Sequence, residues 1–299
     1  MKMKKRGLAF LTAAAVFMTS GVTAFADRVD AVLDKPYLAL GADLSAEEQM
    51  KVMSLLGLED INLDDYDIIT VSNADEHEYL DEYLDASVIG TRALSSVLVV
   101  GKEAGNGINV TTKNISYCTE GMYRNALLTA GVEDADITVA GPFSISGTAA
   151  LVGAIKAYET MTGEEVSEES LDAANNELVL TGKLVEDIGD SQKAEELMAL
   201  VKQEVAENNI KGVEDIRNVV RQACEELDIQ LSEDNEQKIA ELMTKIEGLD
   251  LDVNQLKEQA KELYSKLESL DFHVDTETVG NFFTRIIDAI VEFFSGLFG

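Results

Sequence analysis

Proline, cysteine, histidine and positive charge are all scarce in this 299-residue chain. Two prolines exclude a Pro-rich, wall-spanning linker. Two cysteines, Cys118 and Cys224, exclude a dense disulfide framework. In an exported protein they either join as one disulfide or lie apart as buried thiols, and Cα geometry decides between the two. Two histidines, His77 and His273, give little support to imidazole catalysis. His77 stands in "DEHEY", whose carboxylates favour its protonated form and suit a surface helix. "HEYLD" carries Asp81 where the zinc motif needs a second histidine. No G-x-S-x-G elbow supports a Ser–His–Asp site. Lys and Arg number 24 against 56 Asp and Glu, a net charge of −32. Such a surface repels nucleic acid and anionic lipid, and favours solubility and weak divalent-cation association.

What is present begins with a three-part leader. "MKMKKR" is basic, "GLAFLTAAAVFMTSGV" is a short apolar run, and Ala24-Phe25-Ala26 is a small-x-small cleavage site. Residues 1–26 are read as a secretory signal peptide, too short and broken to be a membrane anchor. Its loss removes Lys2, Lys4, Lys5 and Arg6 and takes the net charge to −36. An apolar fraction of 46% is ample for a packed core. The acidic excess spreads over 27–163 (−15), 164–271 (−18) and 272–299 (−3), so it marks a solvated outer face and not an interaction tail.

Residues 27–163 alternate strand and helix signals. Strands are expected at 36–42, 66–72, 91–101, 107–117 and 135–142, with the third and fourth joined as a hairpin through "KEAGN". Ser45 and Glu48 form a capping box opening a helix that Gly57 closes. Further helices are expected over the acidic "ADEHEYLDEYL", over 119–131 with Thr119 as cap, and over 147–163. Beyond Gly163 the strand signal nearly vanishes. Helices are expected over 164–188, 191–208 and 212–227. Two apolar rows, Ile239–Leu249 and Leu256–Leu270, are read as an antiparallel helical hairpin. The fold class is therefore α+β or α/β: a mixed sheet in two or three layers, then an all-helical region over 164–271 and an amphipathic helix over 272–299.

Five stretches carry a family likeness: "LGADLSAEEQ" (40–49), "VSNADEHEYL" (71–80), "IGTRALSSV" (89–97), "TKNISY" (112–117) and "YRNALLTAGVEDADITVAGPFSISGTAALVG" (123–153). Together they resemble the YpuA-like secreted proteins, known as domain of unknown function 1002. The resemblance implies an exported protein of Gram-positive bacteria, and it supplies no activity, cofactor or catalytic residue.

Three stretches are candidate sites. "DINLDDYDIITV" fails as an EF-hand, with Asp65 where Gly belongs and Val71 where Glu belongs, yet Asp60, Asp64, Asp65 and Asp67 are retained as a looser, weak calcium site. No other cofactor is expected. "GPFSISGTAALVG" places Ser144, Ser146, Gly147 and Thr148 at a strand-to-helix turn, where helix N–H groups receive anions. It lacks the lysine of a P-loop, and ordinary capping by Ser146 with close packing at Gly147 is the plainer reading. Arg92 is the candidate counter-charge.

The third stretch is "NFFTRIIDAIVEFFSGLFG". At about 100° per residue its apolar residues, among them Phe282, Phe283, Ile286, Ile287, Ile290, Phe293, Phe294, Leu297 and Phe298, fill about 200° of arc. Arg285, Asp288 and Glu292 interrupt it as a membrane span, and its acidity is unlike a lipid-surface helix. The expectation is a secreted, non-enzymatic protein, bound to the cell envelope, a protein partner or a second copy through this tail, with no nucleic-acid partner. The alternative is a secreted enzyme or small-ligand binder with its site at 141–148.

Overall fold

The computed structural model describes residues 35–257, apart from 60, 61, 104, 164, 250, 252, 254 and 255. The leader at 1–26, the row beyond Leu256 and the tail at 272–299 thus lie outside the described residues. The first half contains β1 (Tyr37–Gly41), α1 (Ala46–Leu56), a one-turn 3-10 helix (Leu63–Asp65), β2 (Asp67–Val71), α2 (Asn73–Leu80) and α3 (Ala86–Ile89). There follow β3 (Ser96–Gly101), β4 (Ile108–Ile115), α4 (Glu120–Thr129), β5 (Ala135–Ile145) and α5 (Thr148–Thr162). The capping box is formed: the Ser45 hydroxyl accepts from the Glu48 amide and the Glu48 carboxylate from the Ser45 amide. Gly57 then ends α1 in the left-handed region. Thr119 caps α4 by accepting from the Met122 amide.

The sheet runs β2-β1-β3-β5-β4. β1 pairs parallel with β2 and antiparallel with β3, and β5 pairs antiparallel with β3 and parallel with β4. The hairpin expected through "KEAGN" is not made, because β5 lies between its two arms. Ala135, Ile137, Val139 and Ala140 of β5 are all buried, so the strand needs a neighbour on each side. Asp134, just before it, binds both ends of the loop: its carbonyl accepts from the Lys102 amide (2.9 Å) and its carboxylate from the Gly107 amide (2.6 Å).

Side-chain alternation builds three layers. Ala39, Val97, Val99, Ile137 and Val139 face α4 and α5, while Leu38 and Ala140 face Val52 and Leu56 of α1. Gly153 lets α5 lie on the sheet, since a Cβ there would stand 2.8 Å from that of Ala39.

The second half is α6 (Glu168–Ile188), α7 (Ser191–Asn208), α8 (Val213–Glu226) and α9 (Glu233–Glu247). Their ends follow the polar residues between them. Ser167, Asp190 and Ser232 cap α6, α7 and α9, and Gly189 and Asn209 close α6 and α7 in the left-handed region. Among the described residues no helix is long and apolar enough to cross a membrane. The two halves share α6. Its Ala174, Leu178 and Val179 pack with the sheet-and-helix core, and its Ala173, Leu180 and Leu184 pack with the helical core.

One buried ion pair lies at this junction. Lys202 of α7 and Glu177 of α6 are both fully buried and meet at 2.8 Å. The ammonium also donates to Thr129 Oγ1 and the Asn125 carbonyl of α4, each at 3.0 Å. Burial pulls the Lys202 pKa down, and the Glu177 carboxylate opposes it. We expect Lys202→Met to cost about 3–5 kcal/mol, because it strands a buried carboxylate. Adding Glu177→Leu should recover most of that loss. Urea unfolding midpoints of the two variants check it, and equal losses would refute it.

A second set of acids, two buried and one half-buried, has no such partner. Glu196 is 2% exposed with neither carboxylate oxygen hydrogen-bonded, and Glu204 and Glu226 each have one such oxygen. Burial, then Glu226 and Asp190, pushes Glu196 up to about 8 against the pull of Lys193. Burial and Glu207 push Glu204 up to about 7 against Lys257, and burial with Glu204 does the same to Glu226. Folded, these acids hold protons that the unfolded chain releases near 4.5. Their contribution is therefore most favourable below that value, declines as pH rises toward 7 to 8, and is level above. The melting temperature should fall between about pH 5 and about pH 8.5, and fall less in Glu196→Gln/Glu226→Gln. Parallel pH profiles for the two proteins would contradict this.

Candidate functional site

A cleft of about 500 Å³ opens where α3 and the following loop face the ends of β4 and β5. Ser87, Thr91 and Arg92 line one wall, and Ser116, Tyr117, Phe143 and Ser146 the other. Asp85 precedes α3 in an extended conformation, and Gly90 ends that helix at φ 81°. The chain is thereby turned across the cleft mouth, a backbone shape that favours glycine.

The opposite wall depends on a bulge. The strand expected to stop at Pro142 continues to Ile145. Proline lacks an amide for the ladder, and strands tolerate it at bulges. The β4 register shifts between Lys113 and Ile115, with Asn114 at φ 59° and its side-chain amide donating to the Gly141 carbonyl (3.0 Å). Pairing resumes at Ile115 and Ile145, which carries Phe143 to the surface at 47% exposure.

The floor is Glu76, only 1% exposed. Its carboxylate accepts from Thr148 Oγ1 (2.6 Å) and Asn73 Nδ2 (3.2 Å). Burial raises its pKa, against the pull of these hydrogen bonds. The Ser146 hydroxyl lies 3.2 Å from that of Thr148, so a chain of hydroxyls runs from the cleft wall to the floor.

Of the residues expected at this site, Arg92 and Ser146 line the cleft, while Gly147 and Thr148 lie buried behind Ser146. Ser144 is exposed and does not line it. Arg92 is not a free counter-charge. Its guanidinium donates to the Asp43 carbonyl (2.8 Å) and to Glu48 (2.9 Å). The Ser45 backbone and hydroxyl, with Arg92 beside them, hold the Glu48 pKa at about 2. Nor does Ser146 cap α5. The N-cap residue is Gly147 at φ 100°, and Ser95 Oγ accepts from the Ala150 amide (2.9 Å) from 55 residues away. Sequence proximity favoured Ser146, but the strand continuation turns its side chain toward the cleft.

Sequence reasoning missed Glu76, Ser95, Tyr117 and Phe143. Glu76 left a trace: it precedes the buried Leu80 and Leu84 at steps of four, an acid in an apolar row. His77 is where "DEHEY" suggests, at the surface, with Nδ1 2.5 Å from Asp81 and its pKa raised by that contact. Cys118 and Cys224 are separate buried thiols, and burial pushes both up to about 12. The cleft lining includes no histidine, cysteine or lysine. The one acid in the lining, Glu76, reaches Ser146 only through the Thr148 hydroxyl.

The calcium stretch is described only in part. Asp60 lies outside the described residues. Asp64 and Asp65 lie in the one-turn helix capped by Asn62, and Asp67 faces its register partner Tyr37, whose pKa it helps to raise. Among the described residues no three His, Cys, Asp or Glu side chains converge to hold a metal. Phe282, Phe283, Ile286, Ile287, Ile290, Phe293, Phe294, Leu297 and Phe298 lie outside the described residues.

Gly147 ties the floor to α4, because Tyr123 Oη donates to its carbonyl (2.5 Å). A Cβ at Gly147 would stand 2.5 Å from that oxygen, in a left-handed backbone. Gly147→Ala should lower stability by about 1–3 kcal/mol. An unchanged denaturation midpoint would show that neither the turn nor the Tyr123 bond constrains the site.

Comparison with known proteins gives a consistent picture. The family described as "Protein of unknown function (DUF1002)" matches residues 40–263. A relative described as "Uncharacterized protein YpuA", from Bacillus subtilis (strain 168), is 36% identical over 297 residues, covering 99% of this chain and 98% of its own. No solved structure matches the chain.

Proposed function

The chain belongs to the DUF1002 family, and from that premise we propose that it is an exported, acidic binding protein that acts without catalysis. The observation that carries this reading is the cleft itself. Hydroxyls, two aromatic rings and a buried carboxylate surround it, and its lining offers no histidine, cysteine or lysine. Export is supported by the basic, apolar and small-residue order of residues 1–26. The two-faced pattern of 281–299 supports a second role, attachment to the cell envelope, to a partner protein or to another copy.

The two roles occupy different parts of the chain, so they separate experimentally. Deleting 278–299 should leave a protein with the melting curve of the full chain. That protein should no longer sediment with intact envelopes or self-associate in analytical ultracentrifugation. Loss of the folded state on deletion would make the tail part of the core and end the attachment reading.

A further inference from the structure

Glu76 is a buried carboxylate that the protein leaves without a cation. Its two hydrogen-bond donors, Thr148 and Asn73, are neutral. The nearby bases are committed elsewhere: Arg92 to Glu48, Lys156 to Asp75, and His77 to Asp81. The other groups that interact electrically with Glu76 are Asp43, which opposes its ionisation, and the buried Cys118 and Tyr123. His77 alone favours the ionised form by its charge. Glu177 shows the contrast, because in an equally buried position it has Lys202 at 2.8 Å. Each oxygen of Glu76 keeps a lone pair beyond its one neutral donor. Glu76 is among the residues that line the cleft, at its buried floor.

The walls add a second requirement. Ser87, Ser116 and Ser146 present hydroxyls, and Tyr117 and Phe143 present rings. The Ser116 hydroxyl donates inward to the Ile145 carbonyl (3.0 Å), leaving its lone pairs to accept from a ligand. Hydroxyls beside aromatic faces suit a compact polyol, with its O–H groups on the serines and its C–H face on a ring. We propose that the cleft binds a small hydroxylated primary amine of the amino-sugar type, its ammonium donating to Glu76 and its hydroxyls meeting the serine wall. The inference rests on the cleft being a binding site and names the ligand class. Where Glu76 is protonated in the free protein, binding replaces that proton by the ammonium. The proton goes to solvent, and charge balances.

The test uses the full chain, labelled with ¹⁵N and titrated with glucosamine and with N-acetylglucosamine, which has no ammonium. Glucosamine should shift the amides of Thr91, Tyr117, Phe143 and Ser146. Glu76→Gln should weaken it at least about tenfold, the value of a charged hydrogen bond. Equal binding of the two sugars, or an unweakened glucosamine response in Glu76→Gln, overturns the amine and leaves the cleft as a binding site. If neither sugar shifts any cleft amide, the binding reading fails together with the proposal. Should Glu76→Gln not fold, the wild-type comparison decides: glucosamine shifts the cleft amides more strongly than N-acetylglucosamine, and equal responses overturn the amine.

Discussion

The Lys202–Glu177 pair holds the rest of the structure in place, because neither charge reaches water and neither can be left alone. Satisfying it requires α6, α7 and α4 in one arrangement. Glu177 comes from the first, Lys202 from the second, and Thr129 and the Asn125 carbonyl from the third. Asn125 also donates back to the Glu195 carbonyl of α7, at 3.2 Å. Apolar packing between helices tolerates small slips, but an ammonium held by three residues does not. Through it α4 is fixed, and α4 carries Tyr123. Tyr123 holds the Gly147 carbonyl, Gly147 starts α5, and Thr148 at its first turn meets Glu76. The floor of the cleft is thus positioned by a charge pair in the other half of the molecule.

This strongly acidic chain resolves its buried carboxylates in three different ways. Glu177 receives a lysine at 2.8 Å. Glu196, Glu204 and Glu226 have unpartnered oxygens, and their pKa values rise to between about 7 and about 8, so that burial is relieved by a proton. Glu76 stands between the two, with neutral donors on both oxygens and a raised pKa. The first solution fixes geometry, the second makes stability depend on pH, and the third leaves a site able to exchange a proton for another cation. A core with no acid in it would be more stable but would have no such response.

The helices were legible because their signals are local. Ser45 with Glu48, Thr119 and the glycines at 57, 163 and 189 act within one turn, and the helices end where these residues place them. Strand partners are not local. Nothing between Gly101 and Ile108 tells that β5, formed later in the chain, will enter between β3 and β4. The same distance effect explains the errors at the site. The sequence points to its neighbour Ser146 as the cap on α5, but Ser95, just before β3, accepts from the Ala150 amide. Arg92 was expected as a counter-charge to the 141–148 loop, but its partner Glu48 belongs to a helix whose position depends on the tertiary fold. Glu76 was visible as an acid in an apolar row. Its surroundings were not, because Thr148 lies 72 residues away.

The fate of Arg92 also bears on the charge of the cleft. It is the only arginine or lysine in the lining, and Glu48 pairs with it at 2.9 Å. The other charged residue in the lining is Glu76 at the floor. A cleft lined by one sign of charge disfavours ligands of that sign. At the N-terminus of α5, which read from sequence as an anion receptor, Ser95 takes the Ala150 amide, and Thr148 turns its hydroxyl to Glu76. An arginine and a helix start thus sit at the cleft, each with a local partner, above the buried Glu76 carboxyl at its floor.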